Sequence, residues 1–281
     1  MPEGRRGDAG SCVWRTSLGL LGLLVAGWVT SAPDAVAIGR QMYRNSEDAA
    51  LGIYGSTYSL ICGLIDDGRE DPRWRIEVGE HRLFSLDDLK TDAVSVMIRP
   101  GNWGAVISAT HLSTPVGSEG VLGVEGVYVE NGSFSIAAGA RIDRLTLPGF
   151  EDTYLAAASV RMFARVSAGL IVGYTADTIR VAGEDHPGTG LGCHVIVCPG
   201  SPVCLLSRLE LSRGGTPSVG IAASVRPGRW LRVAAGYDGA SGGLAGAITC
   251  TLGPIGLRAG AEVHPVLGVS KSVFVFWGGG S

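Results

Sequence analysis

The residues best equipped for chemistry are few and scattered. Five histidines, His81, His111, His186, His194 and His264, carry the side chain that titrates nearest neutrality. None has the spacing that would join it to a serine nucleophile and an orienting carboxylate, or set a zinc pair on one helix face. Cys193, His194 and Cys198 are close in sequence but supply three donors where a closed zinc site needs four. Glu184, Asp185 and His186 make a polar loop cluster that could hold a cation. Gly188-Thr189-Gly190-Leu191-Gly192 has the glycine cadence of a phosphate-binding turn, yet it opens a strand where that chemistry requires a helix. The chain is therefore not expected to be an enzyme, and no cofactor or metal is implied. Nucleic acid is not an expected partner either, because the net charge is −3 and the basic residues are dispersed.

A larger set of charges falls on one side of alternating segments. These are Arg141, Asp143, Arg161, Arg208, Glu210, Arg226, Arg232, Asp238, Arg258 and Glu262. In Ser133 to Asp143, Phe134, Ile136, Ala138, Ala140 and Ile142 share one face, and Ser135, Ala137, Gly139, Arg141 and Asp143 share the other. The same period of two runs through Val219 to Arg226, Leu231 to Asp238, Leu244 to Leu252, Ile255 to Val263 and Val269 to Trp277. Less regular candidates are Ala93 to Arg99, Trp103 to Leu112, Val121 to Glu130, Tyr154 to Phe163, Val166 to Tyr174, Leu191 to Cys198 and Cys204 to Ser212. Short Gly, Pro, Asn and Asp linkers, Asn131-Gly132 among them, make sequence neighbours antiparallel neighbours in space.

Segments of about ten residues have the length of a tilted membrane-crossing strand, whereas strands of soluble sandwiches average about five or six. The expected fold is an all-β, antiparallel, up-and-down transmembrane β-barrel of about 12 to 14 strands, an even total being usual for bacterial barrels. Only a closed barrel pairs every strand N–H and C=O within hydrocarbon. These ten charges then face the lumen or the rims, since an Arg at mid-depth on the lipid face costs about 2–4 kcal/mol. Two uses are open to them: a ladder of Arg–carboxylate pairs bracing a narrow interior, or a substrate pathway. Lys271 shares a face with Val269 and Val273 and is expected near an interface. Trp103, Tyr154, Tyr174, Trp230, Tyr237 and Trp277 are candidates for the aromatic girdles that mark the two membrane surfaces.

Composition agrees. The chain has 281 residues, 46% hydrophobic and 17% charged, with 44 glycines. The glycines show no collagen period, and the hydrophobic fraction is too high for a disordered linker. Gly123, Gly139, Gly220, Gly236, Gly256 and Gly260 alternate with apolar residues and are expected to point inward, where a missing side chain makes room. The six cysteines form no disulfide framework, although Cys198 and Cys204 flank a Pro-Gly-Ser-Pro turn that a single bridge would suit.

Residues 1–37 read as a cleaved signal peptide. Arg5, Arg6 and Arg15 precede the apolar run Leu18 to Val29, which is shorter than the roughly 20 residues a membrane helix needs and is followed by Ala35-Val36-Ala37. Residues 38–90 break the alternation and are either a lumen plug or the first strands, with weak strand candidates between Ala49 and Ile76. Residues 91–281 form the main part of the barrel.

The block Leu86 to Asp92 (LDDLKTD), the recurrent Gly-x-x-strand cadence and His264-Pro265-Val266-Leu267-Gly268 before the last strand resemble the PorV/PorQ-like group, related to the fatty-acid-transporter barrels. The closing segment Val273 to Trp277 also resembles the aromatic-ended insertion signal of outer-membrane barrels, here followed by a short tail. The resemblance covers Ser85 to Trp277 and implies around 14 strands, an outer-membrane location and an amino-terminal segment that plugs the lumen. It also implies membrane lipid and the outer-membrane insertion machinery as partners, with a hydrophobic small molecule or a secretion-system protein beside them. The functions in view are a small channel, a hydrophobic-solute transporter and a structural surface barrel. A secreted soluble Gly-rich β protein, such as an adhesin or surface-layer component, and a barrel enzyme are the rivals.

Overall fold

Ile255–His264 shows why these residues make strands. Ile255, Leu257, Ala259, Ala261 and Val263 are exposed on one face, while Gly256 and Arg258 on the other are buried. This period of two buries one face only if the segment is extended. A computed structural model of the chain describes residues 73–279, apart from 86–88, 115–116, 131–132, 182–187, 198–201, 213–216 and 240–241, and without the side chains of 177–181, 188–189 and 212. The expected signal peptide, the segment 38–72 and the loop cluster Glu184-Asp185-His186 lie outside the described residues.

Fourteen strands follow one another: β1 Trp74–Arg82, β2 Lys90–Ile98, β3 Trp103–Thr114, β4 Gly117–Glu130, β5 Phe134–Thr146, β6 Thr153–Ser167, β7 Leu170–Val181, β8 Gly188–Val197, β9 Val203–Ser212, β10 Ser218–Gly228, β11 Leu231–Asp238, β12 Gly243–Leu252, β13 Ile255–His264 and β14 Gly268–Gly279. Each pairs antiparallel with its sequence neighbours, and β1 pairs with β14, so the sheet is a closed barrel. Closure leaves no strand edge, which is the condition for a β-structure to cross hydrocarbon.

The chain enters β1 and leaves β14 at the same end, here the terminal rim; the opposite end is the loop rim. Terminal-rim turns are tight, with Gly101 at φ 70° before β3 and Gly253 at φ 62° before β13, a backbone that glycine adopts without penalty. At the loop rim the β1–β2 connection folds back on β14 through a single 3₁₀ turn, Leu83–Ser85. There the Phe84 amide donates to Ser270 Oγ at 3.0 Å.

β1 lies inside the segment 38–90, which the sequence leaves open as a lumen plug or the first strands. One expected strand is divided. The expected strand Val166 to Tyr174 is in fact the end of β6 and the start of β7, divided by a turn at Ala168-Gly169. The alternating runs on either side are long enough to form separate strands, so Tyr174 lies inside β7, not at its end.

The outward face is a belt of exposed Ile, Val and Leu. Val78, Val94, Ile107, Leu122, Ile142, Ile221, Ile248, Leu257 and Val275 all belong to it. An exposed apolar surface running around a whole molecule is ruinous in water and required in lipid. At the terminal rim Trp103 packs on Tyr128 with centroids 4.7 Å apart, and Trp74 meets Trp277 edge-on at 5.1 Å. Phe134 and Trp230 are exposed at the same rim, and Tyr154, Tyr237 and Phe150 at the loop rim. Alternation alone did not single out Trp74, Tyr128 and Phe134; each becomes visible once the strand ends are known. The protein is a fourteen-stranded antiparallel barrel of the outer-membrane type.

Candidate functional site

The inner wall has two levels. Nearer the terminal rim, neighbouring strands carry Val106 on β3, Val127 and Val129 on β4, Ala137 on β5, Phe163 on β6, Ile171 on β7, Ile196 on β8 and Leu206 on β9. All are buried, Ile171 and Ile196 completely. Ala222, Ala234 and Ala247 continue the ring at mid-strand on β10 to β12. Water-filled barrels line their interior with polar groups, so this apolar stretch over β3 to β12 is the unusual feature of the wall; on β13 and β1 the inner face carries Arg258, Arg75 and Glu77 instead.

One inward step closer to the loop rim, the same strands turn polar. Glu125 lies above Val127, Arg161 above Phe163, His194 above Ile196 and Arg208 above Leu206. These side chains pair mostly across an intervening strand. Arg161 Nη1 donates to Glu125 Oε1 at 3.2 Å, passing over β5. Arg208 Nη2 donates to Asp238 Oδ1 at 2.8 Å, passing over β10, and its Nη1 lies 3.2 Å from Glu210 Oε1. Arg258 Nη1 donates to Glu77 Oε1 at 2.6 Å, passing over β14, while Arg75 donates to the other oxygen of Glu77 at 3.0 Å.

Glycine makes these crossings. Gly220 is the register partner of both Arg208 and Asp238, and a Cβ there would stand 3.2 Å from Arg208 Nε, in the path of the guanidinium. Gly139 pairs in register with Glu125, and a Cβ there would stand 3.4 Å from Glu125 Cγ and 3.1 Å from Ser159 Oγ. Aromatic rings use the same device: Phe276 lies on Gly256, Phe274 on Gly79 and Phe163 on Gly173. Arg75 then caps the Phe276 ring at 3.9 Å, with Arg258 at 5.8 Å. Gly123, Gly236 and Gly260 alternate with the outward residues of their strands in the same way as Gly139, Gly220 and Gly256.

The remaining charges singled out in the sequence are spread along the same inner face. Arg141 and Asp143 pair on one strand at 3.1 Å, with Asp143 almost fully buried. Arg226, Arg232 and Glu262 are half-buried on β10, β11 and β13. Glu77, Glu125 and Arg75 belong to the belt but escaped the sequence reading, because the first two became recognisable only through register and Arg75 lies in the stretch where alternation fails.

The four histidines among the described residues do not converge. His194 is buried, with Nε2 2.9 Å from Thr175 Oγ1 and its ring 6.0 Å from that of Phe163. His264 Nδ1 accepts the amides of Val266 and Leu267 at 3.2 and 3.1 Å and so braces the β13–β14 turn. His81 is buried on β1 and His111 is exposed on β3. Among the described residues no three His, Cys, Asp or Glu side chains gather as a metal site. Cys193 is exposed on β8; Cys198 lies outside the described residues, and the expected Cys198–Cys204 bridge with it.

No protein-family profile matches the chain, and no curated protein matches it. Solved structures do. The toluene transporter TbuX of Ralstonia pickettii superimposes with a TM-score of 0.54 at 8% identity, over 83% of this chain and 96% of its own. A deletion mutant of the monoaromatic hydrocarbon channel TodX gives 0.53 at 8% identity, over 86% and 97%. The outer membrane protein Omp33 of Acinetobacter baumannii gives 0.53 at 9% identity, over 74% and 99%. At such identities the likeness is one of fold, and the fold shared by all three is the outer-membrane β-barrel.

Proposed function

We propose that the protein is an outer-membrane channel that passes small, largely apolar solutes through its lumen. The observation that carries this reading is the inner cluster of Val106, Val127, Phe163, Ile171, Ile196 and Leu206, apolar where a general aqueous pore would be polar; its side chains are packed and buried, so the cluster is a closed constriction that a solute must part. Above it the belt charges are spent on one another, so the lumen presents few uncommitted ions to a passing solute. Two of the structures with the same fold are described as a toluene transporter and a monoaromatic hydrocarbon channel, which fits this solute class. Fourteen strands is also the number that the resemblance to the PorV/PorQ-like barrels implies, and it supports that kinship. Under this reading membrane lipid and the insertion machinery are the macromolecular partners, and the inner charges serve as braces.

Uptake by whole diderm cells tests the proposal. Cells producing the protein should take up dilute labelled toluene faster than cells without it, with little change for a pentose of similar size. Faster entry of the sugar with no effect on toluene would overturn the solute class. No change in either would overturn the channel.

A further inference from the structure

Both lysines of the chain stand at one place. Lys90 on β2 and Lys271 on β14 are the two register neighbours of Arg82 on β1. Three cations therefore lie side by side across three adjacent strands, on the outward face at the loop rim. With strands about 4.8 Å apart the row is about 10 Å long. Towards the middle of the barrel the next outward residues are Glu80, Asp92 and Val273, followed by Val78, Val94 and Val275. The row thus sits at the upper edge of the apolar belt.

Like charges in register repel, and the neighbours relieve this unevenly. Arg82 Nε donates to Glu80 Oε1 at 2.6 Å, and Lys90 Nζ lies 2.7 Å from the other oxygen and 3.2 Å from Asp92. Lys271 is exposed and has no carboxylate partner among the described residues; its register neighbour on β13 is Ala261. His111 on β3 faces Asp92 in register, so among the described residues two carboxylates stand among three fixed cations and one imidazole. Arg144, an outward cation elsewhere on this rim, is by contrast held on Asp152 by two hydrogen bonds of 2.9 and 2.6 Å.

We propose that Lys90, Arg82 and Lys271 form a binding site for the phosphate of an anionic lipid headgroup, one without a cation of its own, in the leaflet at the loop rim. Glu80 fixes Arg82 and Lys90 in place, and Lys271 supplies the uncompensated charge. The anion that reaches an outward cation row directly above a lipid-facing belt is the headgroup of the surrounding lipid. This inference rests on the membrane placement of the barrel.

The test uses the exported protein purified in detergent and mixed with equal amounts of phosphatidylglycerol and phosphatidylcholine, with the lipids that stay bound counted by native mass spectrometry. The wild type should retain phosphatidylglycerol in preference to phosphatidylcholine. The K90Q/K271Q variant should lose that preference by roughly five-fold for each lysine, and K90R/K271R should keep it. A heat-modifiable gel shift verifies that each variant is folded. Should the double variant not fold, K271Q alone removes no ion pair and should still cost roughly five-fold. Equal retention of the two lipids by the wild type, or an undiminished preference in the folded glutamine variant, would overturn the site while leaving the barrel reading intact. Recovery of a soluble, detergent-independent protein would overturn both.

Discussion

Gly220 decides whether Arg208 can be buried at all. The guanidinium has a side-chain exposure of 0% and reaches Asp238 only by crossing the strand that lies between them. Breaking one side of a buried pair typically costs about 3–5 kcal/mol, because the surviving charge stays behind without its partner. Glu210 remains near Arg208 to take up part of that loss. Asp238→Asn should therefore destabilise the folded barrel by about 3 kcal/mol in urea unfolding followed by tryptophan fluorescence. Gly220→Val blocks the same crossing, so the double variant should cost little more than the worse single one; full additivity would show that the two residues are not coupled.

Asp152 behaves differently, since it is only half-buried, in the β5–β6 loop. Hydrogen bonds from Thr146 and Arg144 hold its carboxyl below the usual aspartate range. A lowered folded pKa stabilises the loop clip above the unfolded value of 3.8 and loses that contribution as pH falls through the lower folded value. Protease nicking of residues 147–152 should stay at its neutral-pH level down to about pH 4 and rise only in stronger acid. A rise already at pH 5 to 6 would contradict the clip.

At the scale of the strand, the two faces should answer the same substitution differently. Ile248 lies on the exposed face of β12 between inward Ala247 and half-buried Thr249. Ile248→Arg should cost about 2–4 kcal/mol in folding into liposomes from urea. A cost near zero would mean that this face does not meet hydrocarbon at mid-depth.

The alternation that implies this was legible in β5, β10, β11 and β13, because one face is apolar and the other small or charged. β1 was not legible. Its inward side carries Arg75, Glu77 and His81 and its outward side ends in Glu80 and Arg82, so charge on both faces erases the hydropathy signal. The apolar ring was hidden for the opposite reason. In Val195, Ile196 and Val197, or Leu205 and Leu206, both faces are apolar and the period of two disappears. The ion pairs could not be read at all, since Arg161 with Glu125 and Arg258 with Glu77 join strands that are not register neighbours.

For the whole molecule, closure turns these local facts into a lumen. β1 and β14 complete the barrel, and Glu77, Arg258, Arg75 and Phe276 clasp the seam from inside. Outside, apolar side chains meet lipid; inside, an apolar ring lies beneath a belt of paired charge. The lumen is accordingly proposed as a route for small apolar solutes, with the packed apolar cluster as the constriction they must part. The most direct test is the ratio of toluene to pentose uptake by cells carrying the wild type, an Ile196→Asn/Leu206→Asn variant verified as folded by its heat-modifiable gel shift, or no protein. The wild type should raise the ratio, and the variant should return it to the protein-free level. A ratio that the wild type does not raise, or that the variant leaves unchanged, would contradict the proposed route.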